Sequence, residues 1–295
     1  MNITYIVNVF PKLSETFVLD QITYLIDQDH NVNIIASYDS KETEIHADVD
    51  KYNLRSKTIY LDKSTYYPGF EITGELIQAI IFSDIIHAHF ATWPAETAMY
   101  ISRLTGIPFV FTAHAYDIFI NPDIGKLVRM AESSSKTVSE YNKKYLLNLL
   151  GQGYREKIEI IRCAINTKDL KPLENKSDDK VVIFLCGRFV EKKGITYALQ
   201  AVAKLPETIN SELRIIGDGP LADKIKEEIA ALKISEKVIL LGSQPHSAVF
   251  NQLRNADIFL LPSVTAQDGD REGLPVSILE AQALGIPIIS TIHTG

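Results

Sequence analysis

The chain has 295 residues, of which 46% are hydrophobic and 23% are charged, a composition typical of a folded globular protein rather than a disordered or fibrous one. Thirty lysines and arginines against 37 aspartates and glutamates give a net charge of -7, which argues against nucleic acid as a partner. The length predicts about two domains. The spacing of Cys163 and Cys186 suggests neither a disulfide framework nor a zinc site, and both are predicted to be small core residues in a reducing cytosol.

Short apolar runs alternate with amphipathic stretches along the chain, and this rhythm predicts strand–helix units with parallel sheets. The first apolar run follows no basic leader and is predicted to be a strand, not a signal peptide. In the first half, strands are predicted at residues 3–7, 32–36, 84–88, 109–112, 136–138 and 158–161. Among the helices predicted between them are 94–104, ended by Gly106, and 140–149, capped by Ser139.

The segment 168–180 is polar, charged and contains proline, which is the composition of a linker. It predicts a first domain of residues 1–168 and a second of residues 169–295. In the second, strands are predicted at 181–186, 213–216, 238–241, 258–261 and 286–290, and helices at 195–204, 221–232, 248–254 and 275–284. We expect the two doubly wound domains to share a ligand-binding cleft, and the chain, which stops after a predicted strand, to be truncated.

Two common nucleotide-binding motifs are missing from the sequence. The turn after the first strand has no glycine, which argues against a dinucleotide-binding dehydrogenase, and there is no Walker phosphate loop. Instead, the first strand of the second domain runs into GRFVEKKG, where Arg188 and Lys193 are expected to converge on one strand end as ligands for a polyphosphate. The alternative is that this stretch is a solvated turn.

Two carboxylates flank the predicted start of the last helix. Glu272 precedes it and Glu280 lies in its early turns, so diphosphate oxygens could accept hydrogen bonds from the Gly273 and Leu274 amides while the carboxylates accept them from sugar hydroxyls. Alternatively, the acidic residues only stabilise the helix start. In IIGDGPL, Gly219 either forms part of a ligand-binding loop or only provides the geometry of the turn between strand and helix.

Two further patterns resemble metal sites. Asp268 and Asp270 form an Asp-x-Asp sequence, which we expect to be solvated loop. His87 and His89 alternate at a strand end and therefore point to one side. No third ligand is evident, so we expect them to line a cleft or to be hydrogen-bonded.

In these segments the chain resembles the retaining glycosyltransferases of family 4. GRFVEKKG, IIGDGPL, ADIFLLPS and EGLPVSILEAQALG occur in that family's order, and FPKLSETFV, HAHFA and FTAHAYDIF resemble its bacterial, colanic-acid-type members that build exopolysaccharide or lipopolysaccharide. The resemblance implies the α/β GT-B fold of two facing Rossmann-like, doubly wound domains, the second incomplete here. It also implies transfer of a sugar from a nucleotide-diphosphate sugar to a glycan or lipid-linked glycan acceptor.

The same resemblance suggests roles for individual residues. Arg188 and Lys193 match the cations on the donor phosphates, and Glu272 and His114 match the carboxylate and the histidine that face the transferred sugar. The resemblance also implies donor contacts at Gly219, Gly273, Leu274 and Glu280. Independently of it, we expect Ser14 and Glu15 to contact the acceptor. The family generally needs no metal, and we expect neither a metal nor another cofactor.

The sequence also allows two other interpretations of function. The chain could be a catalytically silent nucleotide-sugar-binding fragment or, with less support, a GT-B epimerase of sugar nucleotides. A cytoplasmic location is expected, and peripheral contact with the inner face of the cell membrane is plausible because such acceptors are often lipid-linked. The sugar, the base and the acceptor do not follow from the motifs.

Overall fold

The computed structural model describes residues 1–61, 74–167, 170 and 180–294, and the chain divides into two compact units, Met1–Cys163 and Ala164–His293. Most of the predicted linker, and the predicted boundary between residues 168 and 169, lie outside the described residues. Each unit has its own parallel sheet and its own buried apolar core.

The described part of the first unit contains one parallel sheet of seven strands. The strands are β1 (Asn2–Val9), β2 (Asn31–Tyr38), β3 (Thr58–Tyr60), β4 (Ile85–His89), β5 (Phe109–Ala113), β6 (Ser134–Thr137) and β7 (Ile158–Ile160). The helices are α1 (Thr16–Asp27), α2 (Ala47–Lys51), α3 (Gly74–Ile80), α4 (Trp93–Thr105), α5 (Tyr116–Phe119), α6 (Ile124–Ala131) and α7 (Glu140–Leu150). The strand order β3-β2-β1-β4-β5-β6-β7 reverses its winding between β1 and β4, which is where doubly wound sheets bind ligands.

The described part of the second unit contains a parallel sheet of five strands. The strands are β8 (Val181–Cys186), β9 (Ser211–Ile216), β10 (Val238–Leu240), β11 (Ile258–Leu261) and β12 (Ile288–Ser290). The helices are α8 (Ile195–Ala203), α9 (Ala222–Ala231), α10 (His246–Arg254) and α11 (Val276–Ala283). In the order β10-β9-β8-β11-β12, the winding reverses between β8 and β11.

Local sequence explains most of these elements. The central strands are apolar because helices cover both of their faces, and the rings of Phe184 in β8 and Phe259 in β11 are fully buried. Ser139 accepts a hydrogen bond from the Asn142 amide at the start of α7, as predicted for a cap. Gly106 ends α4 at a φ of 76°, a left-handed conformation that favours glycine.

Three expectations differ from the structure. The strand β3 was not predicted, because three residues at a sheet edge form no continuous apolar run. The strand predicted at residues 136–138 is Ser134–Thr137, since its register is set by pairing with β5. Cys163 lies beyond β7 and is only partly buried, so it is not a core residue, whereas Cys186 is buried in β8.

Among the described residues, no helix has the length and apolar character needed to cross a membrane.

Candidate functional site

The loops that follow β8 and β11 bring two cation–carboxylate pairs together in the second unit. Lys193 Nζ lies 2.8 Å from Glu272 Oε1, and the adjacent Lys192 Nζ lies 3.0 Å from Asp270 Oδ2. Because β8 and β11 are neighbours at the reversal of winding, their carboxyl ends open at the position where such sheets bind ligands. The structure thus places Lys193 and Glu272 in one cluster.

Backbone geometry fixes Lys193 in this cluster. It ends a short 3-10 turn, Glu191–Lys193, and its side chain lies across Gly187, where an added Cβ would approach Lys193 Cε to 3.0 Å. The turn continues into Gly194 at a φ of 65°. A Cβ on Gly194 would lie 1.8 Å from the Pro262 carbonyl oxygen, so only glycine allows the loops after β8 and β11 to approach this closely.

Burial and charge compete in the Lys193–Glu272 pair. The two side chains are 16% and 8% exposed, and burial alone disfavours charge on either group. Their mutual attraction outweighs burial, so the pKa of Lys193 lies above its ordinary value and the pKa of Glu272 lies below. At neutral pH both groups are therefore charged, and the cluster holds a cation that is already desolvated.

The other predicted cation, Arg188, differs from Lys193. It follows β8 but is exposed, and no hydrogen bond or ion pair joins its guanidinium to another residue in the described part of the chain. The alternative of a solvated turn therefore describes Arg188 but is wrong for Lys192 and Lys193. Gly219, at a φ of 154°, packs against the loop that carries Arg188, since its Cβ would lie 2.8 Å from the Phe189 carbonyl oxygen.

The helix α11 starts at Val276, one residue later than predicted, and no side chain caps its first turn. Glu272 and the buried Gly273 precede it, and Leu274 is half-buried. Glu280 lies in the second turn, where its Oε1 is 2.9 Å from His246 Nε2. The histidine begins α10, so Glu280 is held by the loop that follows β10.

The expectation of a solvated Asp-x-Asp loop is wrong for Asp270. Asp268 is exposed and accepts a hydrogen bond from the Asp270 amide, but the Asp270 carboxylate pairs with Lys192, and both of these side chains are largely buried. The physical reason is charge: a buried lysine needs a carboxylate, and the β11 loop supplies it. Among the described residues, no group of three or more His, Cys, Asp or Glu side chains is arranged to hold a metal ion.

A chain of hydrogen-bonded histidines lies at the carboxyl ends of β4 and β5 in the first unit. His114 Nε2 is 2.9 Å from His89 Nδ1, and His89 Nε2 is 2.9 Å from Gln21 Oε1 on α1. His87 bonds separately to Thr112 Oγ1 at 2.8 Å and stacks on His89. Both strand histidines are thus on one side and hydrogen-bonded, as predicted. Burial lowers the pKa of His87 to about 4 and that of His114 to about 3, so both are neutral at pH 7.

The backbone of His114 is held as firmly as its ring. The buried Asp117 carboxylate accepts hydrogen bonds from the amides of Ala91, His114 and Ala115, joining the loops after β4 and β5. Asn142 Nδ2, at the start of α7, donates to the His114 carbonyl oxygen. These contacts make His114 a rigid element of the sheet edge.

The predicted acceptor residues lie in the first loop. Ser14 is exposed, and Glu15 immediately precedes α1 and lines a small pocket with Phe10, Lys12 and His46, among others. Burial, with a smaller contribution from Glu42, raises the pKa of Glu15 to about 7, and Lys12 partly opposes the shift. This carboxyl therefore titrates near neutral pH.

Comparison with known proteins identifies the family. Residues 14–169 match the model described as Glycosyltransferase Family 4, and residues 166–295 match the model described as Glycosyl transferases group 1. The chain is 31% identical to the amylovoran biosynthesis glycosyltransferase AmsK of Erwinia amylovora, covering 100% of this chain and 83% of AmsK. It is 30% identical, with the same coverage, to WcaL of Escherichia coli K12, which is named for colanic acid biosynthesis.

The chain belongs to glycosyltransferase family 4. Solved structures show the corresponding GT-B fold of two parallel-sheet domains. Anabaena HepE, in complex with UDP and glucose, matches with a TM-score of 0.77 at 15% identity over 100% of this chain and 82% of that chain. WaaG, a glycosyltransferase involved in lipopolysaccharide biosynthesis, matches with a TM-score of 0.69 at 12% identity over 99% and 82%.

Several contacts of the predicted residues were not themselves predicted. Outside the motifs considered above, these contact residues are Gln21, Asp117, Asn142 and His246. His246 could have been predicted, because it follows β10, and the carboxyl ends of the parallel strands in one sheet lie along the same edge. The others depend on side-chain contacts that no spacing in the sequence reveals.

Proposed function

We propose that the chain is a retaining glycosyltransferase that moves a sugar from a nucleoside-diphosphate sugar to a glycan or lipid-linked glycan acceptor in surface polysaccharide biosynthesis. The observation that carries the proposal is the buried Lys193–Glu272 pair at the ends of β8 and β11. The names of AmsK and WcaL support polysaccharide synthesis, and the UDP and glucose bound by HepE support a nucleotide-sugar donor.

The barrier to such a transfer is the negative charge that develops on the departing diphosphate. Lys193 is desolvated and held in place, so it stabilises this charge without reorganisation, and exposed Arg188 adds a second cation from the same loop. The backbone amides of Gly273 and Leu274, together with those at the start of α11, supply further donors. These groups do the work of a divalent metal, and we propose that the reaction needs none.

Two side chains bind the transferred sugar in this proposal. Glu272 accepts hydrogen bonds from the sugar hydroxyls while remaining paired with Lys193, and His114 also contacts the sugar. The acceptor hydroxyl attacks the anomeric carbon on the face that the diphosphate leaves, and its proton passes to a phosphate oxygen of the leaving group. One C–O bond breaks as another forms, and the configuration is retained.

The remaining site residues bind the ribose of the donor and the acceptor. Glu280, oriented by His246, accepts hydrogen bonds from the ribose hydroxyls. Ser14 and Glu15 contact the acceptor from the loop before α1. A lipid-linked acceptor would place the enzyme at the cytoplasmic face of the cell membrane as a peripheral protein.

A donor panel tests the proposal. Uridine, guanosine and adenosine diphosphate sugars are screened for thermal stabilisation of the chain, since a ligand that binds the folded state raises its apparent stability. The stabilising donor is then incubated with lipid-linked acceptors, and the anomeric configuration of the product is read by NMR. Retention is expected. Inversion contradicts the mechanism, and binding without transfer to any acceptor indicates a silent nucleotide-sugar-binding protein.

A further inference from the structure

The histidine chain in the first unit determines which ring nitrogen of His114 carries the proton. Burial lowers the pKa of His87, His89 and His114, so each is neutral at pH 7 and carries one N–H. A neutral imidazole donates from one nitrogen and accepts at the other. The hydrogen-bond partners therefore decide the tautomer.

The assignment starts at Gln21. Its amide oxygen can only accept, so His89 donates to it from Nε2, across 2.9 Å. His89 Nδ1 then carries a lone pair and must accept from His114 Nε2, also across 2.9 Å. His114 consequently has its proton on Nε2 and a lone pair on Nδ1.

The Nδ1 atom of His114 is available to a ligand. Within the described chain it makes no hydrogen bond, and it is not among the fully buried polar atoms that lack a partner. The ring cannot easily turn away, because Phe17 and Phe90 pack on it with centroids 4.5 and 4.8 Å distant. The backbone is held by Asp117 and Asn142.

We propose that Gln21 and His89 are positioning residues, which hold His114 in the Nε2–H tautomer so that its Nδ1 accepts a hydrogen bond from a hydroxyl of the transferred sugar. This inference rests on the proposed function, which has His114 facing that sugar. It adds a selectivity rule: the group of the sugar facing His114 is a hydrogen-bond donor. A carboxylate at that position would meet the Nδ1 lone pair and be rejected.

The tautomer can be measured without any substrate. In the 15N-labelled chain at pH 7.5, two-bond proton–nitrogen NMR spectra distinguish Nε2–H from Nδ1–H imidazoles, and the His114 signals are assigned by their loss in His114→Asn. We expect the Nε2–H pattern for His114. An Nδ1–H or doubly protonated ring would overturn the inference, whatever the enzyme's activity.

Substitution of Gln21 tests the positioning role. Gln21→Leu removes the acceptor, and we expect a mixture of His114 tautomers and a loss of UDP release from UDP-glucose of about 10- to 100-fold, the range found for partners that orient metal-ligating histidines. Gln28→Leu is the matched control, since it makes the same change at an exposed position after α1.

These experiments distinguish a failure of the positioning role from a failure of the proposed function. If Gln21→Leu leaves the tautomer of His114 unchanged, or shifts the tautomer but leaves UDP release unchanged, the positioning role is wrong. If the wild-type chain shows the Nε2–H tautomer but consumes no nucleotide sugar with any acceptor, the proposed function fails while the assignment of the tautomer stands.

Discussion

Removing the charge of Lys193 should damage stability and catalysis through different mechanisms. In Lys193→Met, Glu272 stays buried without its partner, and breaking a buried ion pair in this way costs about 3–5 kcal/mol of unfolding free energy. In the proposed mechanism, the same substitution also deletes a preorganised donor to the leaving diphosphate, and such a loss typically costs about 100- to 1000-fold in rate. A single variant therefore confounds the two effects.

The double variant Lys193→Met/Glu272→Gln separates them. With both charges gone, no buried charge is left unpaired, so we expect stability near that of the wild type while the loss of activity remains. Urea denaturation measures the first quantity, and release of nucleoside diphosphate measures the second. Lys226→Met is the control, because Lys226 pairs with Asp223 at an exposed site, where such pairs contribute about 0–1 kcal/mol.

Three results would refute this reasoning. A Lys193→Met chain as stable as the wild type would show that the pair is not buried and coupled. A double variant as unstable as the single one would show that the stability cost has another source. Near-normal turnover by Lys193→Met, corrected for the folded fraction, would remove Lys193 from the diphosphate site.

Three further predictions concern other parts of the site. His246→Ala removes the partner that holds the Glu280 carboxylate and should weaken binding of the nucleoside diphosphate identified by the donor panel about tenfold, the cost of a misplaced hydrogen bond to a charged group, as measured by calorimetry. Gly219→Ala forces a Cβ against the Phe189 backbone at a positive φ and should cost about 1–3 kcal/mol of stability in urea denaturation. Because the pKa of Glu15 is raised to about 7, the folded state binds more protons than the unfolded state above pH 4.5, so stability falls as pH rises to 7, and Glu15→Gln should abolish this fall.

A specific result would contradict each of these three predictions. Unchanged affinity of His246→Ala for that nucleoside diphosphate would show that the histidine does not orient Glu280. A Gly219→Ala chain with wild-type stability would mean that the loops after β8 and β9 have room for a side chain. If Glu15→Gln keeps the wild-type slope of stability against pH while Ser14→Ala also keeps it, another group is responsible for the titration.

The sequence predicted the fold well because continuous apolar runs suffice to locate buried parallel strands. Nearly every strand of both sheets was expected, and β3 was missed because a short edge strand carries no such run. The order of strands across each sheet, and with it the adjacency of β8 and β11, was not predicted, because apolar runs locate strands without showing which of them pair.

The candidate site was predicted less completely, since its properties depend on tertiary contacts. Motifs pointed to Lys193 and Glu272, but nothing in the sequence indicated that they form a buried ion pair. Likewise, the alternation of His87 and His89 placed them on one side of a strand, while the link from His89 to His114 and Gln21 required coordinates.

The most direct test compares wild-type and doubly substituted chains on the panel of nucleotide sugars. With acceptor present, the wild type should release nucleoside diphosphate from one class of donor, and the folded Lys193→Met/Glu272→Gln chain should release at least about 100-fold less. Equal release by the two chains, or no release by the wild type from any donor, would contradict the account.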